Sequence, residues 1–206
     1  MRFKVKQIFF ILFLFSNSSH IYAEMTIEEL FFDDTSPYHL KMLKALPTEA
    51  KIQIGSDNAK NTIVEFMDYF CGYCKKIHPE LVELAQSRND VRVIFIQHPI
   101  LNESSRLLAN MVIAANFQKK GYDLHHAIFT IEGSITNEKL KKAIIKSGVN
   151  QAKLRIDMSR DEVKKMIKLS SFLAEGSGAR GTPSIFINEE FSPGYISKER
   201  IEDLLN

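Results

Sequence analysis

Thr62-Ile63-Val64-Glu65-Phe66-Met67-Asp68-Tyr69-Phe70-Cys71-Gly72-Tyr73-Cys74-Lys75-Lys76-Ile77-His78-Pro79-Glu80-Leu81 decides how this chain reads. Ile63, Val64 and Phe66 are apolar in a run bounded by turn residues, which predicts a strand leading into a turn. Ile77, Leu81, Leu84 and Ala85 recur on one helical face, which predicts a helix from about Cys74 to Ser87. Pro79 falls inside that helix and predicts a kink. Cys71 and Cys74 are the two cysteines of the whole chain. Thiols three residues apart at a helix start can close a disulfide and open it again. A bridge that short closes too small a loop to add much stability, so a purely structural role is a poor reading.

The N-terminal residues supply a context. Arg2, Lys4 and Lys6 precede an unbroken apolar run from Ile8 to Phe15, then a polar stretch ending in Ile21-Tyr22-Ala23. This is the form of a secretory signal peptide over residues 1–23, cleaved after Ala23, with an uncleaved anchor as the alternative. The apolar run is shorter than the ~18 residues a membrane span needs. The chain carries 27 basic and 25 acidic residues. Without Arg2, Lys4 and Lys6 the balance is 24 basic against 25 acidic, a net charge of −1. No basic field remains for nucleic acid or an anionic membrane surface. Export places the cysteines in an oxidising compartment, the periplasm, as a soluble or membrane-associated protein.

About 180 residues follow the leader, enough for one packed domain with an insertion. Residues 24–50 read as an N-terminal helical segment. Thr26 to Glu29 has the form of a capping box, Ser36-Pro37 of a helix start, and Leu40, Leu43 and Leu46 repeat at helical spacing up to Pro47. Lys51 to Ile54 reads as an edge strand and Val91 to Ile96 as a second strong strand. Helical periodicity then runs from Ser104 to about Glu175. One helix carries Leu107 to Ala115 with Gly121 just past its end, a short one runs from Leu124 to Ile131, and a third is capped by Thr136 and stopped by Gly148. A fourth opens on a Ser159/Glu162 capping box. Apolar positions there, Met111, Met158 and Met166 among them, read as core, and Lys139, Lys141 and Lys142 as a solvated face. Ser184 to Ile187 is a strand, Gly194 turns the chain through a weaker one near Phe191 to Tyr195, and Ser197 caps a last helix. The order is βαβ, a helical block, then ββα, a mixed α/β arrangement.

These pieces together resemble the DsbA-like proteins of the thioredoxin fold. The match runs from about Thr62 to the C-terminus. It covers the cysteine motif, Glu65, Pro79, Gly181-Thr182-Pro183 and Ser192-Pro193-Gly194. The resemblance implies a thioredoxin-like α/β fold with a helical insertion between the second strong strand and a cis-proline loop. The expected layout is a first thioredoxin-like segment over residues 51–104, the insertion over 105–177 and a second thioredoxin-like segment over 178–206. It implies a thiol–disulfide oxidoreductase with no cofactor, acting on unfolded or partly folded exported proteins and coupled to a membrane redox partner of the DsbB or DsbD type.

The helix dipole and free N–H groups at a helix start favour an anion at Cys71, the expected nucleophile, with Cys74 one turn in as the resolving thiol. Gly72 and Tyr73 tune the couple. Tyr73 stands where the best-known oxidases of the family carry histidine, and Cys-Gly-Tyr-Cys resembles the motif of DsbC-type isomerases. Thr182 points the same way, so the expected couple is less oxidising than the strongest oxidants. The resemblance makes Glu65 a buried proton relay to Cys74; a glutamate facing solvent is the alternative, because alternation along the strand does not say which face is covered. It makes Pro183 a cis-proline facing Cys71, with the Thr182 backbone exposed for pairing with a substrate chain.

Metal binding is the rival use of the cysteines. His78 gives a third ligand, but a closed zinc site wants four and there is no second C-x-x-C; His98, His125 and His126 read as residues of surface turns or helix faces. Two thiolates could also take cuprous ion, which keeps a copper-handling role or a scaffold as minor alternatives. Within the oxidoreductase reading both directions stay open, dithiol oxidase or oligomeric isomerase.

Overall fold

The computed structural model describes residues 38–206. The leader, the Thr26–Glu29 capping box and the Ser36-Pro37 helix start all lie outside the described residues. Among the described residues no helix is long and apolar enough to cross a membrane.

Five strands form one sheet in the order β1-β3-β2-β4-β5. They are β1 (Lys51–Ile54), β2 (Asn61–Met67), β3 (Val91–Gln97), β4 (Ser184–Ile187) and β5 (Glu190–Ser192). β2 and β3 run parallel, with Glu65 opposite Phe95, and every other pairing is antiparallel. A parallel pair needs a crossover, and helix α2 (Gly72–Ser87) provides it, burying Ile77, Leu81 and Leu84. All seven residues of β2 are buried. This central strand is covered on both faces, which is why its residues lack the polar alternation of a half-exposed strand.

Ahead of β1, α1 (Tyr38–Ala45) buries Leu43 and is followed by a single 3-10 turn, Thr48–Ala50. Between β3 and β4 run α3 (Glu103–Asn116), α4 (Gly121–Phe129), α5 (Asn137–Lys146), α6 (Gln151–Met158) and α7 (Asp161–Gly176). Helix α3 packs against α4, α6 and α7, and α7 reaches β3. The closing helix α8 (Lys198–Leu205) packs on α2 and β4. This is the mixed α/β arrangement that the sequence order predicts, and the thioredoxin-like fold with a helical insertion that the resemblance implies.

The local capping expectations divide. Thr136 and Ser197 accept from the backbone N–H three residues on, and Gly148 follows α5 with φ +69°. Gly121 is not a helix stop. It opens α4 buried against α3, where a Cβ would lie 2.5 Å from Asn116 Oδ1. Ser159 does not cap α7. It closes α6, donating to Ile156 O at 2.6 Å, and Arg160 is the N-cap of α7. The amphipathic signal of α6 is weak, with Leu154 its one buried apolar residue, so the sequence gives it no helix of its own between Gly148 and Ser159. The β4–β5 turn sits at Asn188 (φ +52°), not at Gly194, which follows β5. Asn188 Oδ1 accepts from Thr62 N at 2.9 Å, tying that turn to the start of β2.

Candidate active site

Three segments meet at the C-terminal end of β2. The first is the turn from Asp68 to Cys71. Cys71 is the N-cap of α2, and its sulfur accepts from Cys74 N at 3.4 Å. The helix thus begins at Gly72, two residues before its predicted start, and continues through Pro79. The second is the loop before β4, where the Thr182–Pro183 peptide is cis. Cys71 Sγ donates to Thr182 O at 3.0 Å, so the loop and the first cysteine touch across the site. The third is β2 itself, which carries Glu65 beneath the helix start.

Both cysteines are free thiols, and their surroundings differ. Cys71 is 8% exposed and Cys74 fully buried. The Cys74 thiol, as hydrogen-bond donor, pulls the Cys71 pKa down to about 5; burial opposes this, while the Thr182 side chain and the N–H groups of Cys74 and Tyr73 reinforce it. These N–H groups are the free donors of a helix start, which stabilise an anion. Burial pushes the Cys74 thiol far up, helped by its bond to Cys71 and by the charge of Glu65. One thiol is therefore held as a thiolate at neutral pH and its neighbour as a protonated thiol, the pairing that thiol–disulfide exchange requires.

Glu65 is fully buried, and among the described residues neither carboxyl oxygen meets a donor in hydrogen-bond geometry. Desolvation lifts its pKa to about 8; the Cys74 thiol opposes that shift and the charge of Cys71 adds to it. A carboxyl poised near neutral pH beside a protonated thiol can exchange a proton with it. Gly72 has open space where a Cβ would stand, and Tyr73 is 62% exposed, tilted toward Tyr195 at 6.2 Å between ring centroids.

Asp68 is the residue that sequence reasoning passed over. Its buried carboxylate accepts from Phe70 N at 2.9 Å, Ile100 N and Leu101 N at 3.0 Å, and Ser105 Oγ at 2.7 Å. Its backbone oxygen accepts from Cys71 N at 3.1 Å. One side chain thereby joins the cysteine turn to the loop after β3 and to the first turn of α3. An Asp opening a turn is a legible local signal; its partners 32 to 37 residues away are not.

The histidines depart from expectation. His98 and His125 are buried, not on surface turns or outer helix faces, and His78 is buried with them. His78 Nε2 lies 3.0 Å from His126 Nδ1, and its ring stacks on Phe129 at 4.7 Å. Gln97 Nε2 donates to Tyr69 Oη at 3.4 Å, and the Tyr69 hydroxyl is hydrogen-bonded to His125 Nδ1 at 2.9 Å. Phe95 packs on both His78 and His125. Among the described residues no group of three or more His, Cys, Asp or Glu is placed to hold a metal ion.

Burial lowers the pKa of His78 to about 3, with the neighbouring His126 adding to the effect, and lowers His125 well below 6.5. As pH falls, the unfolded chain takes up these protons first. For His78 the stability contribution is whole above about pH 6.5 and is lost toward about pH 3, by about 1.4 kcal/mol per pH unit, and His125 acts in the same direction. We expect His78→Phe to lose about 2.5 kcal/mol less stability than the wild type between pH 6.5 and 4.5. Urea unfolding at the two pH values tests this, and parallel losses in both proteins would contradict a buried neutral ring.

The chain has relatives among known proteins. A family model described as a DSBA-like thioredoxin domain matches residues 62–206. Disulfide bond formation protein D of Bacillus subtilis is 20% identical over 164 residues, covering 74% of each chain. A thioredoxin-like oxidoreductase from Silicibacter pomeroyi superposes with a TM-score of 0.71 at 28% identity, over 77% of this chain and 91% of that one. A periplasmic thioredoxin-like protein from Salmonella enterica serovar Typhimurium does so with a TM-score of 0.70 at 29% identity, over 80% and 93%. Fold and family model agree: the chain belongs to the DSBA-like thioredoxin-domain family and is a thiol–disulfide oxidoreductase.

Proposed function

We propose that this protein is exported by the leader at residues 1–23 and introduces disulfides into unfolded or partly folded proteins of the periplasm, through the pair Cys71 and Cys74. The observation that carries this reading is the opposite shift of the two thiols. A thiolate held stable at Cys71 favours the reduced form of the pair, which makes the oxidised form a good electron acceptor.

In the oxidised protein a substrate thiolate attacks Cys71 Sγ, the more accessible sulfur. The Cys71–Cys74 bond breaks and a substrate–Cys71 disulfide forms. Cys74 leaves and takes a proton from Glu65, which regains one from solvent. A second substrate thiolate attacks the substrate's sulfur of the mixed disulfide, closing the substrate disulfide and releasing Cys71 as a thiolate. The substrate loses two electrons and the protein gains them. A membrane redox partner of the DsbB type takes them up in turn. The Thr182 backbone, beside Cys71, offers strand-like pairing to the substrate chain, with Pro183 next to it in the same loop. Gly72 leaves room for the incoming chain, and Tyr73 takes the position between the cysteines that tunes the couple.

The low pKa of Cys71 favours oxidation over isomerisation as the direction. The test is redox equilibration of the purified protein with glutathione, together with oxidation of a reduced, unfolded polypeptide by a stoichiometric amount of it. We expect a potential between about −180 and about −120 mV and transfer of the disulfide to the substrate. A potential below about −230 mV would remove the oxidant reading and favour a reductant kept reduced by a partner of the DsbD type.

A further inference from the structure

Beside Cys71 lies a cleft of about 240 Å³, to which the reaction steps above assign nothing. Tyr69, Phe70, Cys71 and Gly72 form one wall, Ile128 and Phe129 at the end of α4 another. Gly133, Ser134 and Ile135, from the loop between α4 and α5, close a third side. Neither Thr182 nor Pro183 lines it, so it is separate from the surface where a substrate backbone would pair. Among the described residues Lys75 is the one charged residue on its walls, and its ammonium is already engaged. Nζ donates to Ile131 O and to Gly133 O, the latter at 3.4 Å. A single side chain from the catalytic helix thus straps the loop that forms the far wall.

We infer that this cleft is a specificity subsite for one large apolar side chain next to the substrate's cysteine, and that Lys75 is the positioning residue that keeps it open. The inference rests on the oxidoreductase reading of Cys71. Three observations select the occupant. The nucleophilic sulfur is itself part of the wall, so any chain in mixed disulfide with Cys71 begins at the cleft mouth. Five of the ten lining residues carry aromatic or branched apolar side chains, and the ammonium of the lone cation has its hydrogen bonds taken by two carbonyls of the far wall. The volume is that of a side chain, smaller than the pockets of roughly 300 Å³ and upward that hold whole ligands. The Cα face of Gly72 leaves the entrance unobstructed.

Burying one Phe or Leu side chain is worth about a tenfold rate advantage at the low end of its transfer range. The experiment uses the reduced full-length protein and two peptides whose cysteine carries an aromatic thiol leaving group, one with Phe and one with Ala beside that cysteine. Release of the leaving group gives the second-order rate, and the Phe/Ala ratio is the readout. The ratio cancels any change in folded fraction or in thiolate reactivity. We expect about tenfold in the wild type and less than about twofold in Ile135→Asp and in Lys75→Met. A wild-type ratio near one, or a ratio that survives either substitution, overturns the inference. Absence of Cys71-dependent reaction with both peptides would instead sink the oxidoreductase reading of Cys71 itself.

Discussion

Cys71→Ser is expected to lower the rate of disulfide transfer to a reduced, unfolded protein by at least about 1,000-fold, while Cys74→Ser accumulates a substrate bonded to Cys71. The asymmetry follows from the environments of the two sulfurs. Cys71 sits at the mouth of the site with its pKa near 5, which in the proposed mechanism makes it the nucleophile and, once oxidised, the sulfur that substrates attack. Cys74 is fully buried and its thiol is held protonated, which in the proposed mechanism leaves it to end the reaction and not to begin it. Serine at 71 removes the entry point. Serine at 74 removes the exit, and the mixed disulfide persists on a non-reducing gel. Rapid alkylation should be half-maximal near pH 5 in the wild type and should be absent in Cys71→Ser. Transfer that survives Cys71→Ser, or substrate captured on Cys74 of that variant, would show that the roles are reversed or that exchange runs elsewhere.

Glu65→Leu should make the reduced protein more stable and the reaction slower. Burial holds the Glu65 pKa at about 8, against 4.5 for an ordinary glutamate. A folded pKa above the unfolded one has a definite consequence. As pH rises past 4.5 the unfolded chain releases this proton while the folded chain retains it, so stability declines until about pH 8 and then levels off. At pH 7 the accumulated penalty is about 3 kcal/mol, and at about pH 4.5 it is nearly absent. Leucine removes it, so the two proteins should differ in denaturant unfolding at about pH 7 and converge toward about pH 4.5. The cost is catalytic. Without a carboxyl to supply and accept the Cys74 proton, formation and release of the mixed disulfide should slow on the order of 100-fold. Equal rates in both proteins, measured in a single turnover, would remove Glu65 from the mechanism whatever the stability data show. Buried, with the Cys74 thiol beside it and destabilising at neutral pH, Glu65 is hard to explain as a structural residue.

The fold was largely legible because its decisive signals are local. A strand ending in Cys71-Gly72-Tyr73-Cys74, a helix carrying Pro79 and a Gly-Thr-Pro loop before a hairpin each fit within about ten residues. The misreadings were local signals outweighed by distant neighbours. Gly121 looked like a helix stop because glycine commonly ends helices, yet the reason for glycine there is the close approach of Asn116. Ser159 looked like an N-cap because the short helix before it carries little amphipathic pattern of its own. His125 read as a surface residue because histidine usually is one, and its burial depends on Phe95 from β3 and Tyr69 from the cysteine turn.

Residue identity alone was enough to place the Cys71–Cys74 motif at a helix start and to identify the family to which the chain belongs. Those properties rest on residues adjacent in the chain, where covalent connection and backbone geometry leave few alternatives. Tertiary structure decided the rest. Alternation along β2 could not tell whether Glu65 faced solvent, because a central strand is covered on both faces and carries no polar side to read. The different pKa values of Cys71 and Cys74 come from burial and from groups brought together by folding, Thr182 from 111 residues away among them. Asp68 as an anchor and Lys75 as a strap depend on backbone groups of remote loops, and a backbone group carries no side-chain signature in the sequence.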